Sequence, residues 1–240
     1  SYVTGLVKGD LGTSLRTKRP VLTEVQGRYM NTVQLTLLSL TWSVIAGVLI
    51  GVWSGRNRSK WQDYTGMTVA VSGISMPSFW IGFMLIMVFA VKYRLLPTTG
   101  AGSFKNLILP SITLGVSIAA IIARFTRSSV IEVLKEDYVR TARAKGLREK
   151  TVIWKHVFRN CMISVVTVVG LQFGFLLGGS VVTETVFAFP GLGSLLIESV
   201  NYRDYPAIQS LILIFSLHFV LINLVVDVLY AVLNPEIQLS

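Results

Sequence analysis

The 240 residues are 52% hydrophobic and only 14% charged, with a mean hydropathy of +0.63, a balance that excludes an ordinary soluble domain and points to an integral membrane protein. The net charge of +10 could suit a nucleic-acid partner, but the cations cluster beside apolar runs, so retention against an anionic membrane surface accounts for them better. A single cysteine, Cys161, excludes an intrachain disulfide and a multi-cysteine metal site and is read as a small packing residue.

Residues 1–29 form a polar segment that carries Lys8, Arg16, Lys18, Arg19 and Arg28. A sequence that opens on such a segment, without an initiator Met or a first anchor, is expected to be the middle of a longer gene product with a span ahead of it. Residues 30–240 then read as one helical membrane domain. Runs long enough to cross about 30 Å of hydrocarbon occur at Met30 to Trp53, Thr65 to Val91, Leu107 to Ser128, Met162 to Thr183 and Pro206 to Val232. The fold class is therefore all-α, a polytopic bundle with five spans in this chain.

Lys and Arg counts set the orientation. Arg56, Arg58 and Lys60 follow the first span, and ten cations lie from Arg124 to Arg159, against Lys92, Arg94, Lys105 and Arg203 in the remaining loops. The positive-inside bias puts the first two groups in the cytoplasm and residues 1–29 outside, where their own cations break the trend. Gly47, Gly51 and Gly55 in the first span, and Gly170, Gly174 and Gly178 in the fourth, repeat every four residues and so share a face. Such faces admit close backbone approach, either within this chain or from a second subunit.

Pro77 sits near the middle of the second span and cannot donate to the Gly73 carbonyl, which predicts a kink with a freed acceptor. With Ser75 and Ser78 beside it, the break could line a polar pathway, because irregular backbone is tolerated at membrane depth where it is buried or wet. A packing kink with the serines bonded to their own helix is the other reading. Gln172 is a further pathway candidate, with interhelical hydrogen bonding as its alternative. In the last span Asn223 and Asp227 share a face. Asp227, read as the only acid within a span, is either a structural anchor near the cytoplasmic exit or part of the transport machinery.

Catalytic chemistry is missing. His156 and His218 stand in no metal-binding spacing, no Gly-x-Ser-x-Gly turn supports a hydrolase, and no Gly-x-x-x-x-Gly-Lys-Ser/Thr loop could hold ATP. Any ATP and Mg must therefore sit on partner chains, and this chain is expected to hold no cofactor or metal of its own. A proton- or sodium-coupled carrier or a channel is the competing class, but such carriers need ionisable groups near the bilayer centre.

From Val130 to Phe158 the sequence reads as two short helices parted by Gly146, with Glu132, Glu136 and Asp137 early and Arg140, Arg143 and Lys145 later in the first. Gly146 suits the left-handed residue that closes a helix, and Leu147 follows as an apolar knob. This could be a solvated loop helix. It could instead be a docking element in which Ala142 and Ala144 permit close approach.

These residues resemble the permease subunits of ATP-binding-cassette importers, specifically the B-type permeases of dipeptide, oligopeptide, nickel and glutathione systems. The resemblance covers essentially the whole chain and rests on Gly9-Asp-Leu-Gly-Thr-Ser14, Ser75-Met-Pro77, Leu109-Pro110, Asp137 to Gly146, Arg159-Asn160, Pro190-Gly-Leu-Gly193, Arg203-Asp-Tyr-Pro206 and Asn223-Leu-Val-Val-Asp227. The general importer motif, Glu-Ala-Ala followed three residues later by Gly, is replaced here by Arg140-Thr141-Ala142 and Gly146, as in the peptide-permease pattern. The resemblance implies a type I importer permease with six helices in the full protein. It implies a C-type second permease, two ATPase subunits and an extracytoplasmic substrate-binding protein as partners, in a bacterial or archaeal inner membrane. Tyr138, Arg140, Thr141, Ala142, Arg143, Ala144, Lys145, Gly146 and Leu147 would couple to the ATPase, within a cytoplasmic segment spanning residues 130–160. The cargo would be a short peptide or glutathione, with a nickel chelate as the alternative.

Overall fold

The computed structural model describes residues 10–233, apart from the side chains of residues 163, 164, 177, 179, 227 and 229–233. Among the described residues the regular structure is helical. In chain order the elements are α1 (Val21–Arg56), α2 (Trp61–Ser75), α3 (Ser78–Leu85) with a π-helical extension (Ile86–Lys92), α4 (Phe104–Val133), α5 (Asp137–Ala144), α6 (Glu149–Thr151), a π-helical turn (Val152–Phe158), α7 (Arg159–Val186), α8 (Leu192–Asn201) and α9 (Tyr205–Leu233). Three segments, Val21–Arg56, Phe104–Val133 and Tyr205–Val226, are each long and apolar enough to cross a bilayer, and two broken helix pairs add one crossing each if each pair counts as a span.

The spans depart from the sequence reading at three places. The first helix starts at Val21, so residues 21–29 belong to it rather than to the polar segment. Glu24 and Arg28 make that turn look polar in sequence, yet both are engaged by protein partners, Thr17 and Glu198. The second span is cut rather than kinked. Met76 is extended (φ −87°, ψ 130°) and ends α2, while Pro77, also extended, begins α3, as its ring and its effect on the preceding residue require. The Gly73 carbonyl is not left free, because the Ser117 hydroxyl donates to it at 3.2 Å. Finally, Val130–Val133 closes α4, and the helical segment after Gly146 runs on through the π-turn into α7, so only α5 is a separate short helix.

By proximity the chain forms two compact units that interleave along the sequence, Ser1–Ser39 with Pro77–Leu114 and Gly174–Leu221, and Leu40–Met76 with Gly115–Phe173 and Ile222–Ser240. In the first unit Val21, Val25, Leu192, Leu195, Ala207 and Leu211 form the core, so the start of α1, the short α8 and the start of α9 pack together. In the second, Ala70, Ala120 and Ala123 form a small-residue core between α2 and α4, with Ile50 of α1 against it.

Small residues decide that second packing. A Cβ on Gly51 would lie 2.5 Å from the Thr126 Cβ and 2.6 Å from the Ala123 carbonyl oxygen, and one on Gly47 would lie 2.7 Å from the Ala119 carbonyl oxygen. Gly55 meets Val130 in the same way at 2.8 Å. The first-span glycine stripe thus serves α1 against α4 inside this chain, which is the close approach that lets dispersion act between apolar helices without a hydrophobic driving force. The fourth-span stripe divides. Gly170 packs on Val226, whereas Gly178 faces open space.

Candidate functional site

The helix α5 is built to stop sharply. Gly146 has φ +75°, its N–H donates to the Arg143 carbonyl at 2.9 Å, and the Leu147 N–H reaches the Ala142 carbonyl at 3.4 Å. This pair of bonds is a Schellman closure, in which a left-handed glycine lets the chain turn back and satisfy carbonyls at the helix end. Arg143 then bridges the break, with Nε and Nη2 donating to the two Glu149 carboxylate oxygens at 3.2 and 2.8 Å. Asn160 of α7 donates to the Tyr138 hydroxyl at 2.9 Å, which ties α5 to the next long helix.

One face of α5 points into the chain. Val139 and Ala142 are buried, and α5 packs against the turn that contains the buried Val152, Ile153 and Val157. Ala142 therefore offers no free surface for an incoming subunit, contrary to the expectation from sequence, because its three-residue spacing from Val139 places it on the inward stripe. Tyr138, Arg140, Thr141, Arg143, Ala144, Lys145 and Gly146 lie on the outside, and Leu147 is 40% exposed. An exposed leucine beside a rigid left-handed turn is a knob held at a fixed angle.

The same unit contains an ion pair that the sequence reading missed. Arg127 of α4 grips Asp63 of α2 in fork geometry, Nε to Oδ1 at 2.5 Å and Nη2 to Oδ2 at 2.7 Å, and Asp63 also accepts the Ser59 N–H at 3.0 Å. Both residues line a cavity of about 490 Å³ along α2, together with Tyr64, Thr68, Ser72 and Ser75. Of the expected path residues, Ser75 is thus in a cavity, although its hydroxyl donates to the Val71 carbonyl of its own helix at 3.0 Å, as Ser72 does to Thr68 at 2.8 Å. Ser78 starts α3, and Gln172 and Asn223 are half-buried. The Asp227 side chain lies outside the described residues.

Asp227 is not the only acid within a helix of the bundle. Glu184, near the end of α7, is fully buried. It accepts the Thr32 hydroxyl of α1 at 2.8 Å and the Ser194 N–H at 2.9 Å, while Thr32 also accepts the Leu192 N–H at 2.8 Å. These are orphan donors of the first turn of α8, so a carboxylate and a hydroxyl from two other helices cap it. Gly191 leaves space for the carboxylate, since a Cβ there would collide with Glu184, and a Cβ on Gly193 would lie 2.6 Å from the Val181 Cα and 3.0 Å from the Glu184 Oε2. A Pro-Gly-x-Gly signal at 190–193 was visible in sequence, but its partner lay outside the hydropathy window.

Two more carboxylates fasten the far end of α8. Glu198 takes Arg28 at 3.0 and 3.2 Å and Arg16 at 2.9 Å, and the Arg28 hydrogen bond foremost, with Arg16 added, holds its carboxyl below the ordinary value against the cost of burial. Asp204 is buried, which would raise its pKa. The Ser14 hydroxyl and the N–H groups of Leu15 and Arg16 more than offset this and leave it lowered.

Comparison with known proteins places this architecture. Residues 47–239 match the family model of the binding-protein-dependent transport system inner membrane component. The glutathione transport system permease protein GsiC of Escherichia coli O6:H1 is 56% identical over 99% of this chain and 78% of its own length, and that of Salmonella typhi is 55% identical over the same shares. Among solved structures, an inward-facing MetNI methionine ABC transporter chain aligns with a TM-score of 0.77 at 17% identity, over 89% of this chain and 97% of that one. A chain of an amino acid ABC transporter aligns at 0.69 and 15%, over 96% and 97%, so these two speak for the fold alone. The chain belongs to the binding-protein-dependent transport system inner membrane component family, as a multi-pass permease subunit.

Proposed function

We propose that this permease admits glutathione or a similarly small peptide through a bacterial inner membrane. It would work with a C-type second permease, two ATPase subunits that carry ATP and Mg, and an extracytoplasmic binding protein. The names and identity of the GsiC relatives support the cargo. The coupling reading rests on one observation above the others, the Schellman-closed α5 that presents Leu147 and the outward residues Tyr138, Arg140, Thr141, Ala144 and Lys145 beside it. A helix fixed at both ends by Asn160 and Glu149 can pass a push from an ATPase into α7 without deforming, as rigid-body alternation requires.

The test is reconstitution of the complete complex in proteoliposomes, with uptake of labelled glutathione followed with and without ATP. ATP-dependent uptake is expected, together with loss of both uptake and ATPase copurification in Leu147→Asp. Uptake without ATP, or intact copurification in that variant, would overturn the reading.

A further inference from the structure

The turn that joins α1 to α2 carries cations without partners and aromatic rings without cover. Arg58 and Lys60 are exposed, and among the described residues no ion pair engages either. Arg56 differs, because its charge acts on Glu149. Trp53 and Trp61 flank the turn as an edge-to-face pair with ring centroids 6.2 Å apart, and Trp61 and Tyr64 are each more than half exposed. Tryptophan and tyrosine beside lysine and arginine are the residue set of the membrane–water interface, where an apolar ring body and a polar tip are both satisfied.

This turn is fastened to one end of the cavity along α2. The Ser59 N–H donates to the Asp63 carboxylate at 3.0 Å and the Tyr64 N–H to the Lys60 carbonyl at 3.2 Å, and both Asp63 and Tyr64 line the cavity. Lys60 begins α2 without a side-chain cap, which leaves first-turn amides for an outside acceptor. From Asp63 the cavity follows α2 to Met76, about 20 Å at helical rise, slightly more than half of a hydrocarbon core of roughly 30 Å. Met67, Val71 and Met76 supply its apolar wall, and the Ser72 and Ser75 hydroxyls are turned back onto carbonyls of their own helix. Asp63 already holds Arg127, so an outside anion is drawn to Arg58 and Lys60.

We infer that the turn of residues 57–60 and the cavity along α2 form a binding site for an anionic phospholipid of the cytoplasmic leaflet, with its phosphate on Arg58 and Lys60 and one acyl chain along Met67 and Val71. A charged end joined to an apolar wall one leaflet long fits an amphiphile, whereas a small peptide would leave the far wall unused. Methionine, unbranched and adaptable, suits a mobile chain. Each Lys or Arg near the surface adds to the pull of an anionic leaflet, and the positive-inside bias puts this turn on that side. The inference rests on the chain spanning a bilayer and is independent of the cargo.

The test uses the assembled transporter, stripped of lipid in detergent and titrated with phosphatidylglycerol or phosphatidylcholine. Bound lipid is counted by native mass spectrometry, and thermal unfolding is followed alongside. Phosphatidylglycerol should be retained and raise the melting temperature, and phosphatidylcholine should do neither at the same concentration. Arg58→Gln together with Lys60→Gln should weaken phosphatidylglycerol retention by roughly tenfold. The melting temperature of that variant without lipid should be unchanged, because neither side chain holds an ion-pair partner. Arg58→Lys keeps the charge and should bind as the unaltered protein does. Val71→Trp, at a position more than half exposed, should fill the groove and weaken retention with the turn intact. Equal retention of the two lipids overturns the inference, as does full retention by either the charge variant or Val71→Trp. Equal stabilisation by glycerophosphoglycerol, the headgroup without chains, would overturn it in favour of a soluble phosphate. Displacement of the lipid by glutathione would overturn it by making the cavity part of the cargo path. No ATP enters the lipid titration, so failure of ATP-driven uptake and failure of this site are read separately.

Discussion

Arg127 and Asp63 are joined by two parallel hydrogen bonds of 2.5 and 2.7 Å that tie α4 to the first turn of α2. Asp63 is almost wholly buried and Arg127 is 30% exposed, so water compensates the arginine better than the carboxylate if the pair is broken. Arg127→Met should therefore destabilise more than Asp63→Asn, by about 3 kcal/mol against about 1–2. Arg127→Lys should fall between them because one ammonium cannot reproduce the fork. Thermal unfolding in detergent, with the double variant completing a mutant cycle, measures the order.

The glycine contacts predict a contrast between two substitutions of the same kind. Gly51→Ala pushes a methyl group into Thr126 and the Ala123 carbonyl oxygen, and backbone cannot give way cheaply, so a loss of about 1–3 kcal/mol is expected. Gly178→Ala meets nothing within 4 Å and should stabilise its helix by up to about 1 kcal/mol. Melting temperatures of the two variants check the sign of each.

Gly146 holds φ +75° at the end of α5. Gly146→Ala should cost about 1 kcal/mol, and Gly146→Asn less, because asparagine tolerates the left-handed region. If coupling depends on this turn, ATP-driven uptake should follow the same order as hydrogen exchange at the Leu147 amide. Arg143→Gln should loosen the same amide by removing the bridge to Glu149.

The Glu198 clamp predicts a pH limb. Its folded pKa is held below the ordinary 4.5, first by Arg28, so the stabilisation is fully present above that value and is lost as pH falls through the lower folded one. Proteolysis of the residue 13–20 turn should accelerate on acidification in the unaltered protein. In Glu198→Gln it should be fast at neutral pH, and its acid dependence should be weaker. Equal profiles for the two proteins would show that the clamp does not hold the turn.

Hydropathy and charge alone establish an all-helical membrane protein with a basic segment after the third long run, and Gly146 is legible as a helix stop because glycine takes that left-handed backbone at least cost. The break at Pro77 is legible too, though as a kink. Its depth depends on Met76 becoming extended, which the ring and the surrounding packing decide together. The three carboxylates that fasten α8 were not legible. Glu184, Glu198 and Asp204 find partners more than 150 residues away in sequence, at Thr32, Arg28 and Ser14.

The division follows from the range of the forces. Periodicity, composition and backbone preference act within a few residues, so the sequence by itself determined the helices, their apolar character and the left-handed turn that ends α5. Which helix meets which is different. The first-span glycines could equally have served another subunit, and only tertiary structure showed Gly47, Gly51 and Gly55 spent against α4 and Ala142 turned inward. A glycine stripe states that something approaches closely, and sterics alone cannot name it. Likewise a carboxylate within a helix must be paired or capped, and its partner exists only once the chain has folded.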